Sequence, residues 1–307
     1  MGMRIAITGG TGFIGSRIVA ALLARGDEVT AFTRDPTRAK LPGAKVVQAE
    51  LEHAGAWCQE LVGVDAIINL AGEPIAGKRW DAQQKQRLRD SRIETTRTIV
   101  EAIAKLDHKP RALISASGAD YYPFANMTIS GFDDDEVTEA DPAGEDFLAR
   151  LCKAWEAEAF EAEKLGVRVV AMRTGVVLGE HGGALAKMET PFKLFAGGRI
   201  GDGKQWLAWI HIADVIGGFL AAVSDERYRG PINLVTESVR NASFAKQLGA
   251  VLHRPSWLPV PGFALRIAVG ELADTLLNGR RVVPAKLRAL GFVWKHPELR
   301  EALQAAQ

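Results

Sequence analysis

Seven residues near the amino terminus, Gly9-Gly10-Thr11-Gly12-Phe13-Ile14-Gly15, have the composition of a main-chain cradle for phosphate. Glycine lets the chain turn tightly and approach a ligand closely, so that backbone N–H groups meet the anion. The placement supports this chemistry. Ile5-Ala6-Ile7 before the turn reads as a β-strand, and Ile14–Leu23 after it reads as the start of a helix. Gly9 and Gly10 permit the turn, Gly12 opens the backbone to a pyrophosphate, and Gly15 lets the helix pack closely on the strand. Thr11, Phe13 and Ile14 complete the cradle, and the helix N-terminus adds partial positive charge.

The end of the second strand, Phe32-Thr33-Arg34, bears on which dinucleotide is bound. An acidic residue there accepts hydrogen bonds from the ribose hydroxyls of NAD, whereas an arginine pairs with the 2′-phosphate of NADP. Arg34 with Thr33 therefore points to NADP(H), with Arg38 as a second cation close by. The plain alternative is a solvated arginine at a loop start. Asp35 leaves NAD(H) as the lesser option.

These residues need a scaffold, and the hydrophobic pattern supplies one. Short apolar runs at Arg4–Ile7, Glu28–Phe32, Lys45–Gln48, Ala66–Leu70 and Ala112–Ser115 alternate with helix-length stretches. Ser16–Arg25 and Asp81–Leu106 are the first two such stretches; Asp146–Glu163 precedes a sixth strand at Arg168–Met172. This order predicts an α/β fold, a Rossmann-type doubly wound parallel sheet. After about residue 174 the texture changes to the glycine-rich segments 179–183 and 195–203, predicted to be substrate-side loops. A strand-like run, Pro231–Val235, and a helix, Asn241–Leu252, follow. Past the prolines at 255, 259 and 261, three helices are predicted at Phe263–Leu277, Pro284–Leu290 and Pro297–Leu303. The expected division is a nucleotide-binding domain at 1–252, with substrate-side insertions at about 174–230, and a small helical domain at 253–307.

Composition narrows the partner. Lys and Arg total 38 against 37 Asp and Glu, giving a formal charge of +1. That balance gives no reason to expect nucleic acid or a membrane surface, and favours a small-molecule substrate. Cys58 and Cys152 stand in no metal-ligating cluster, so no metal site is expected. No leader-like or membrane-spanning run is found, which predicts a cytoplasmic protein. Oligomeric state is not legible.

The turn Thr8-Gly9-Gly10-Thr11-Gly12-Phe13-Ile14-Gly15 resembles the G-x-x-G-x-x-G motif of the extended short-chain dehydrogenase/reductase superfamily. More narrowly, the chain is similar to its atypical NAD-dependent epimerase/dehydratase-like branch, family 39U. The carrying residues are Asn69-Leu70-Ala71-Gly72-Glu73-Pro74-Ile75, Lys78-Arg79-Trp80, the run 147–156, the run 173–179, the run 206–214 and the stretch 284–292. The last resembles that branch's small C-terminal domain of unknown function. The resemblance implies that Glu50-Leu51 lies near the adenine, that Leu70, Ala71 and Gly72 pass beside the ribose and nicotinamide, and that Glu73 begins the substrate pocket. It also places Ser115 and Arg173 among the cofactor contacts.

The same superfamily uses a Ser or Thr to hold the substrate oxygen, a Tyr to exchange its proton and a Lys one helical turn later. This chain departs from that pattern: Phe147–Glu156 contains no Tyr, and Leu148 and Cys152 stand where Tyr and Lys would be. Ser117 falls at the position of the substrate-orienting hydroxyl, with a strand-end backbone cap as its alternative role. Tyr121 and Tyr122 are the nearby phenols, either as proton donors or as pocket lining. Lys204–His211 is expected to line the substrate side. His211 and Asp214 read as a helix-start packing pair in preference to a catalytic dyad. Lys78, Arg79 and Trp80 form either a mobile lid for an anionic substrate or a solvated basic loop. Two functions follow: an NADP(H)-dependent oxidoreductase or epimerase-like enzyme acting on a small carbonyl or hydroxyl compound, or a non-catalytic NADP(H)-binding sensor.

Overall fold

The protein is described by a computed structural model covering residues 2–124, 134–180 and 182–307, with the backbone of two short strands at 127–128 and 131–132. His181, inside the first glycine-rich segment, lies outside the described residues. Seven parallel strands form the central sheet: β1 (Arg4–Thr8), β2 (Glu28–Thr33), β3 (Lys45–Gln48), β4 (Ala66–Asn69), β5 (Ala112–Gly118), β9 (Arg168–Thr174) and β12 (Gly230–Leu234). Between β5 and β9 come the short strands β6 (Met127–Thr128), β7 (Gly131–Phe132) and β8 (Glu136–Val137).

The spatial order β3-β2-β1-β4-β5-β9-β12 reverses direction between β1 and β4. At such a switch point the connections leave to opposite faces, and a crevice opens at the carboxyl ends of the strands. Strands buried on both faces are almost continuously apolar, as Ile5-Ala6-Ile7, Ala66-Ile67-Ile68 and Val169-Val170-Ala171-Met172 show. One face is covered by α1 (Gly15–Ala24) and α5 (Ile212–Ser224), through Ile18, Leu22, Val215 and Phe219. The other is covered by α2 (Ala82–Ala104) and α3 (Phe147–Phe160), through Ile99, Ile103 and Ala159. Asp81 and Asp146 cap these two helices by accepting first-turn N–H groups.

The substrate-side stretch is more ordered than its glycines suggest. It holds β10 (Val176–Leu178), α4 (Gly183–Lys193) and β11 (Trp206–His211), and β10, β11 and β13 (Glu237–Arg240) form a second, three-stranded sheet. Trp209 and Ile210 are fully buried and His211 nearly so, which corrects the expectation that the whole of 204–211 lines a substrate pocket: the second half of β11 is packed into the core on both faces.

Beyond α6 (Asn241–Val251), the predicted helix 263–277 is two helices, α7 (Gly262–Val269) and α8 (Leu272–Leu277). The break is at Gly270, whose φ of 67° ends the first helix and brings its backbone against Trp80. Strand β14 (Arg281–Val282) pairs with β8, and α9 (Ala285–Ala289) and α10 (Leu299–Ala305) follow. Leu299, Ala302 and Leu303 of α10 pack with Phe244 and Leu248 of α6, which holds the C-terminal part onto the nucleotide-binding fold. Among the described residues, no helix is long and apolar enough to cross a membrane.

Candidate functional site

The glycine turn lies at the switch point. Gly9 takes a φ of 67°, and a Cβ there would lie 2.7 Å from the Leu70 carbonyl oxygen, so the turn is seated directly on the chain leaving β4. A Cβ at Gly15 would lie 2.1 Å from the Gly9 oxygen, which locks the start of α1 against the turn. Thr11 and Gly12 are exposed. Ile14 enters α1 with no side-chain cap, the first turn carries no acidic residue, and the Phe13 and Ile14 amides have no acceptor among the described residues. Free donors at a helix N-terminus, in a cradle that added side chains would fill, fit a pyrophosphate. Phe13 also serves packing, since a Cβ at Gly182 would meet its ring at 2.5 Å. Arg17 fastens this contact by donating to the Phe13 and Glu180 carbonyls.

Thr8 and Asn69 hold the cradle's floor. Thr8 Oγ1 donates to Asn69 Oδ1 at 2.7 Å and accepts from the Leu70 and Ala71 amides. Asn69 Nδ2 and Trp155 Nε1 both donate to Thr96 Oγ1. This buried chain ties β1, β4, α2 and α3 together. Neither Thr96 nor Trp155 is legible as part of the site from its local sequence, since they lie 27 and 86 residues beyond Asn69 and meet it only through the sheet order.

At the end of β2, Arg34 is exposed, and its guanidinium has no partner among the described residues. Asp35 is committed: its carboxylate accepts from the Thr37 amide and hydroxyl and pairs with Arg38 at 3.2 Å. Arg38 is thereby engaged as well. Glu50 is exposed beyond β3, whereas the Leu51 side chain is buried with Phe32 and Trp57 in the core. Leu70 and Ala71 are half-buried, Gly72 is exposed, and Glu73 faces Lys78 at 3.7 Å. Trp80 is buried, donates to the Ile75 carbonyl and stacks edge-on with Phe147. Its packing excludes it from a mobile lid.

The candidate catalytic residues meet in one cluster, but most are committed to one another. Ser117 Oγ donates to Glu156 Oε1 at 2.6 Å. Arg173 donates through Nε and Nη2 to both Glu156 oxygens, at 2.8 and 2.7 Å, and through Nη1 to the Tyr122 hydroxyl. Tyr122 in turn donates to Asn233 Oδ1 and is fully buried. Two readings are corrected here. Arg173 is turned inward, where a cofactor contact was expected: Nε, Nη1 and Nη2 each donate to Glu156 or Tyr122 and its side chain is only 3% exposed; burial alone would lower its pKa, but the hydrogen bonds and charge of Glu156 hold it above the ordinary value. Tyr122 is not a proton donor, because burial pushes its pKa up, the nearby Arg173 offsets this only in part, and no solvent reaches its ring.

Ser115 is buried, with its hydroxyl turned to the adjacent Ala116 carbonyl. Leu148 is in an apolar cluster, and burial pushes the Cys152 thiol up to about 12, so α3 supplies no charged group at either position. Tyr121 is different. It is half-buried, the Arg173 guanidinium lies 3.4 Å from its ring centroid, and its hydroxyl has no partner among the described residues yet is not sealed from solvent. At the rim, the buried Arg280 reaches Asp120 at 3.4 Å and Asp146 at 3.5 Å, so the C-terminal part borders the site. His211 caps α5 through Nδ1, and Asp214 accepts from the Lys295 and His296 amides.

A doubly wound sheet with an uncapped glycine turn at its switch point defines a Rossmann-type protein of the nucleotide-binding class. Residues 5–234 match the model of the NAD dependent epimerase/dehydratase family, and residues 260–306 match that of a domain of unknown function, DUF1731. The chain belongs to the NAD dependent epimerase/dehydratase family. It is 39% identical over 308 residues to the chloroplastic epimerase family protein SDR39U1 homolog of Arabidopsis thaliana, covering 99% of this chain and 86% of that one. It is also 39% identical to the Bacillus subtilis epimerase family protein YfhF, covering 98% and 97%. A crystal structure of human epimerase family protein SDR39U1 with NADPH superimposes with a TM-score of 0.86 at 36% identity, covering 99% of each chain. A UDP-glucose 4-epimerase from Thermotoga maritima shares the fold, with a TM-score of 0.79 at 18% identity, 99% of this chain and 97% of that one being covered.

Proposed function

We propose that this protein binds NADP(H) in the switch-point crevice and is an oxidoreductase or epimerase-like enzyme acting on a small carbonyl or hydroxyl compound. The observation that carries the cofactor choice is at the end of β2, where Arg34 is unpaired while Asp35 is consumed by Thr37 and Arg38. A free guanidinium there suits a 2′-phosphate, and an occupied carboxylate does not suit ribose hydroxyls. The human relative crystallised with NADPH supports the same reading. Phe13 and Ile14 amides would hold the pyrophosphate, and Leu70 to Glu73 would border the nicotinamide half.

Bound there, the cofactor would supply or accept a hydride at carbon. The protein's own task is to move the proton at the substrate oxygen. Tyr121 is the candidate for that task, because among Ser117, Tyr121 and Tyr122 it alone has a hydroxyl that is neither bonded nor sealed. Ser117 supports the site indirectly, by fixing Glu156 and through it Arg173 beneath the Tyr121 ring.

A second reading, a non-catalytic NADP(H)-binding sensor, draws on the neutral Cys152 and on the mutual satisfaction of Ser117, Tyr122, Glu156 and Arg173. Two measurements separate the readings. Arg34→Ala is expected to weaken NADPH binding by about 10–100-fold and to leave NADH nearly unchanged, since one or two charge-assisted hydrogen bonds are lost. Equal effects on both cofactors would refute the 2′-phosphate role. Hydride exchange from labelled NADPH across a panel of aldehydes and ketones then tests catalysis, and tight binding with no transfer would favour the sensor.

A further inference from the structure

Arg92 of α2 is a buried cation that forms no ion pair among the described residues. Only 8% of the residue is exposed, and the one hydrogen bond of its side chain among the described residues runs from Nη1 to the Leu88 carbonyl of its own helix, at 3.1 Å. No carboxylate pairs with it among the described residues; the charge of Glu73 acts on it without an ion-pair contact. Its guanidinium carbon lies 5.2 Å from the Trp155 ring centroid. Burial lowers its pKa from the ordinary value, as expected for a charge with too few partners.

Such a residue is costly to keep, because a buried charge destabilises the fold unless something completes its hydrogen bonds. Arg92 is nevertheless closely accommodated. A Cβ on Gly72 would lie 2.9 Å from the guanidinium carbon and 3.1 Å from both terminal nitrogens, so residue 72 has no room for a side chain while Arg92 holds this place. Among the described residues Nε and Nη2 have no hydrogen bond, yet neither is sealed within the protein, so both are open to a small polar group.

The location identifies that group. Gly72 follows β4, and Cys152 touches the end of β5, where a Cβ on Gly118 would lie 3.4 Å from its sulfur. A dinucleotide laid across a doubly wound sheet at its switch point puts one nucleotide half over β1–β3 and the other over β4 and β5. The first half has Arg34 and the α1 N-terminus for its phosphates. Among the described residues the second half has no other buried cation without an ion pair: Arg173 is paired with Glu156, Arg280 with Asp120 and Asp146, and Lys78 with Glu73, while the Cys152 thiol is neutral and Lys153 is exposed.

We propose that Arg92 is the cofactor-positioning cation of the second half, donating from Nε and Nη2 to the oxygens of the ribose that bears the nicotinamide. The proposal rests on the NADP(H) reading above. In the free protein the guanidinium is held in reserve, and the bound ribose completes its hydrogen bonds.

The test uses dissociation constants of the full-length protein for three probes: NADPH, 2′-phospho-ADP-ribose, which keeps the second ribose without nicotinamide, and 2′,5′-ADP, which lacks that ribose. Arg92→Met is expected to weaken NADPH and 2′-phospho-ADP-ribose by about 10–100-fold, the loss for hydrogen bonds from a charged donor, while 2′,5′-ADP changes by less than about 2-fold. Arg92→Gln should show the same pattern, and provides it if the Met variant fails to fold. Arg92→Lys, which keeps the charge, should recover part of the loss. The melting temperature of cofactor-free Arg92→Met is expected to equal or exceed that of the wild type, because an unpaired buried charge has been removed. Equal loss for all three probes, or no loss for any, would overturn the role of Arg92. Failure of the wild-type protein to bind either NADPH or 2′,5′-ADP would instead overturn the NADP(H) reading itself.

Discussion

Glu156→Gln is the sharpest probe of the cluster behind the site. The Glu156 carboxylate is 5% exposed on its side chain and receives three donors: Ser117 Oγ, Arg173 Nε and Arg173 Nη2. An amide of the same shape keeps one acceptor oxygen, but turns an N–H₂ group toward a guanidinium that is itself 3% exposed. Removing one partner of a buried, hydrogen-bonded ion pair leaves the other charge uncompensated, at a cost of about 3–5 kcal/mol. For a chain of 307 residues, unfolding entropy near the transition is about 0.6 kcal/mol per kelvin, from roughly 2.1 cal/mol/K per residue. The expected fall in melting temperature is therefore about 5–8 °C, followed by scanning calorimetry at neutral pH without cofactor. Ser117→Ala removes one hydrogen bond to the same carboxylate and should cost about half as much. A melting temperature within about 1 °C of wild type for Glu156→Gln would show that the pair does not hold β5, β9 and α3 together, and would return Ser117 and Arg173 to the list of groups free to meet a ligand.

The two tyrosines should separate cleanly. Tyr121→Phe keeps the ring over Arg173 and removes an unbonded hydroxyl, so stability should stay within about 0.5 kcal/mol, while turnover falls by about 100-fold or more if that phenol moves the substrate proton. Tyr122→Phe should do the opposite, retaining turnover but losing about 1–3 kcal/mol, because Asn233 Oδ1 and Arg173 Nη1 each lose a buried partner. His211 predicts a pH dependence. Burial, reinforced by the His296 ring at 3.9 Å, lowers its pKa from 6.5 to about 4, so the folded state prefers neutral imidazole. The unfolded chain then binds the proton more tightly, and stability present above pH 6.5 is lost as the pH falls from 6.5 towards 4, by at most about 3 kcal/mol. His211→Asn, which keeps an acceptor for the Ala213 amide, should flatten this part of the pH–stability profile measured by thermal melting; an unchanged profile would place the titration elsewhere.

The sequence alone determined the features that depend on a few neighbouring residues. The strand, glycine turn and helix at 4–24 are set by local dihedral freedom and apolar spacing, and Arg34 follows β2 wherever the strand lies. The alternation of strand and helix then leads to the doubly wound sheet, whose handedness and connections leave few alternatives. Tertiary structure decided which side chains remain available. Ser117 and Glu156 are 39 residues apart, Tyr122 and Asn233 are 111 apart, and only the neighbouring positions of β5, β9, β12 and α3 turn the three candidates Ser117, Tyr122 and Arg173 into one closed network with Glu156 and Asn233. Burial works in the same way on Arg92, which in the sequence is one more basic residue on a polar helix. Packed against Gly72 and Trp155, it becomes a charge in want of a partner, because the desolvation that sets its energy comes from atoms distant in the chain.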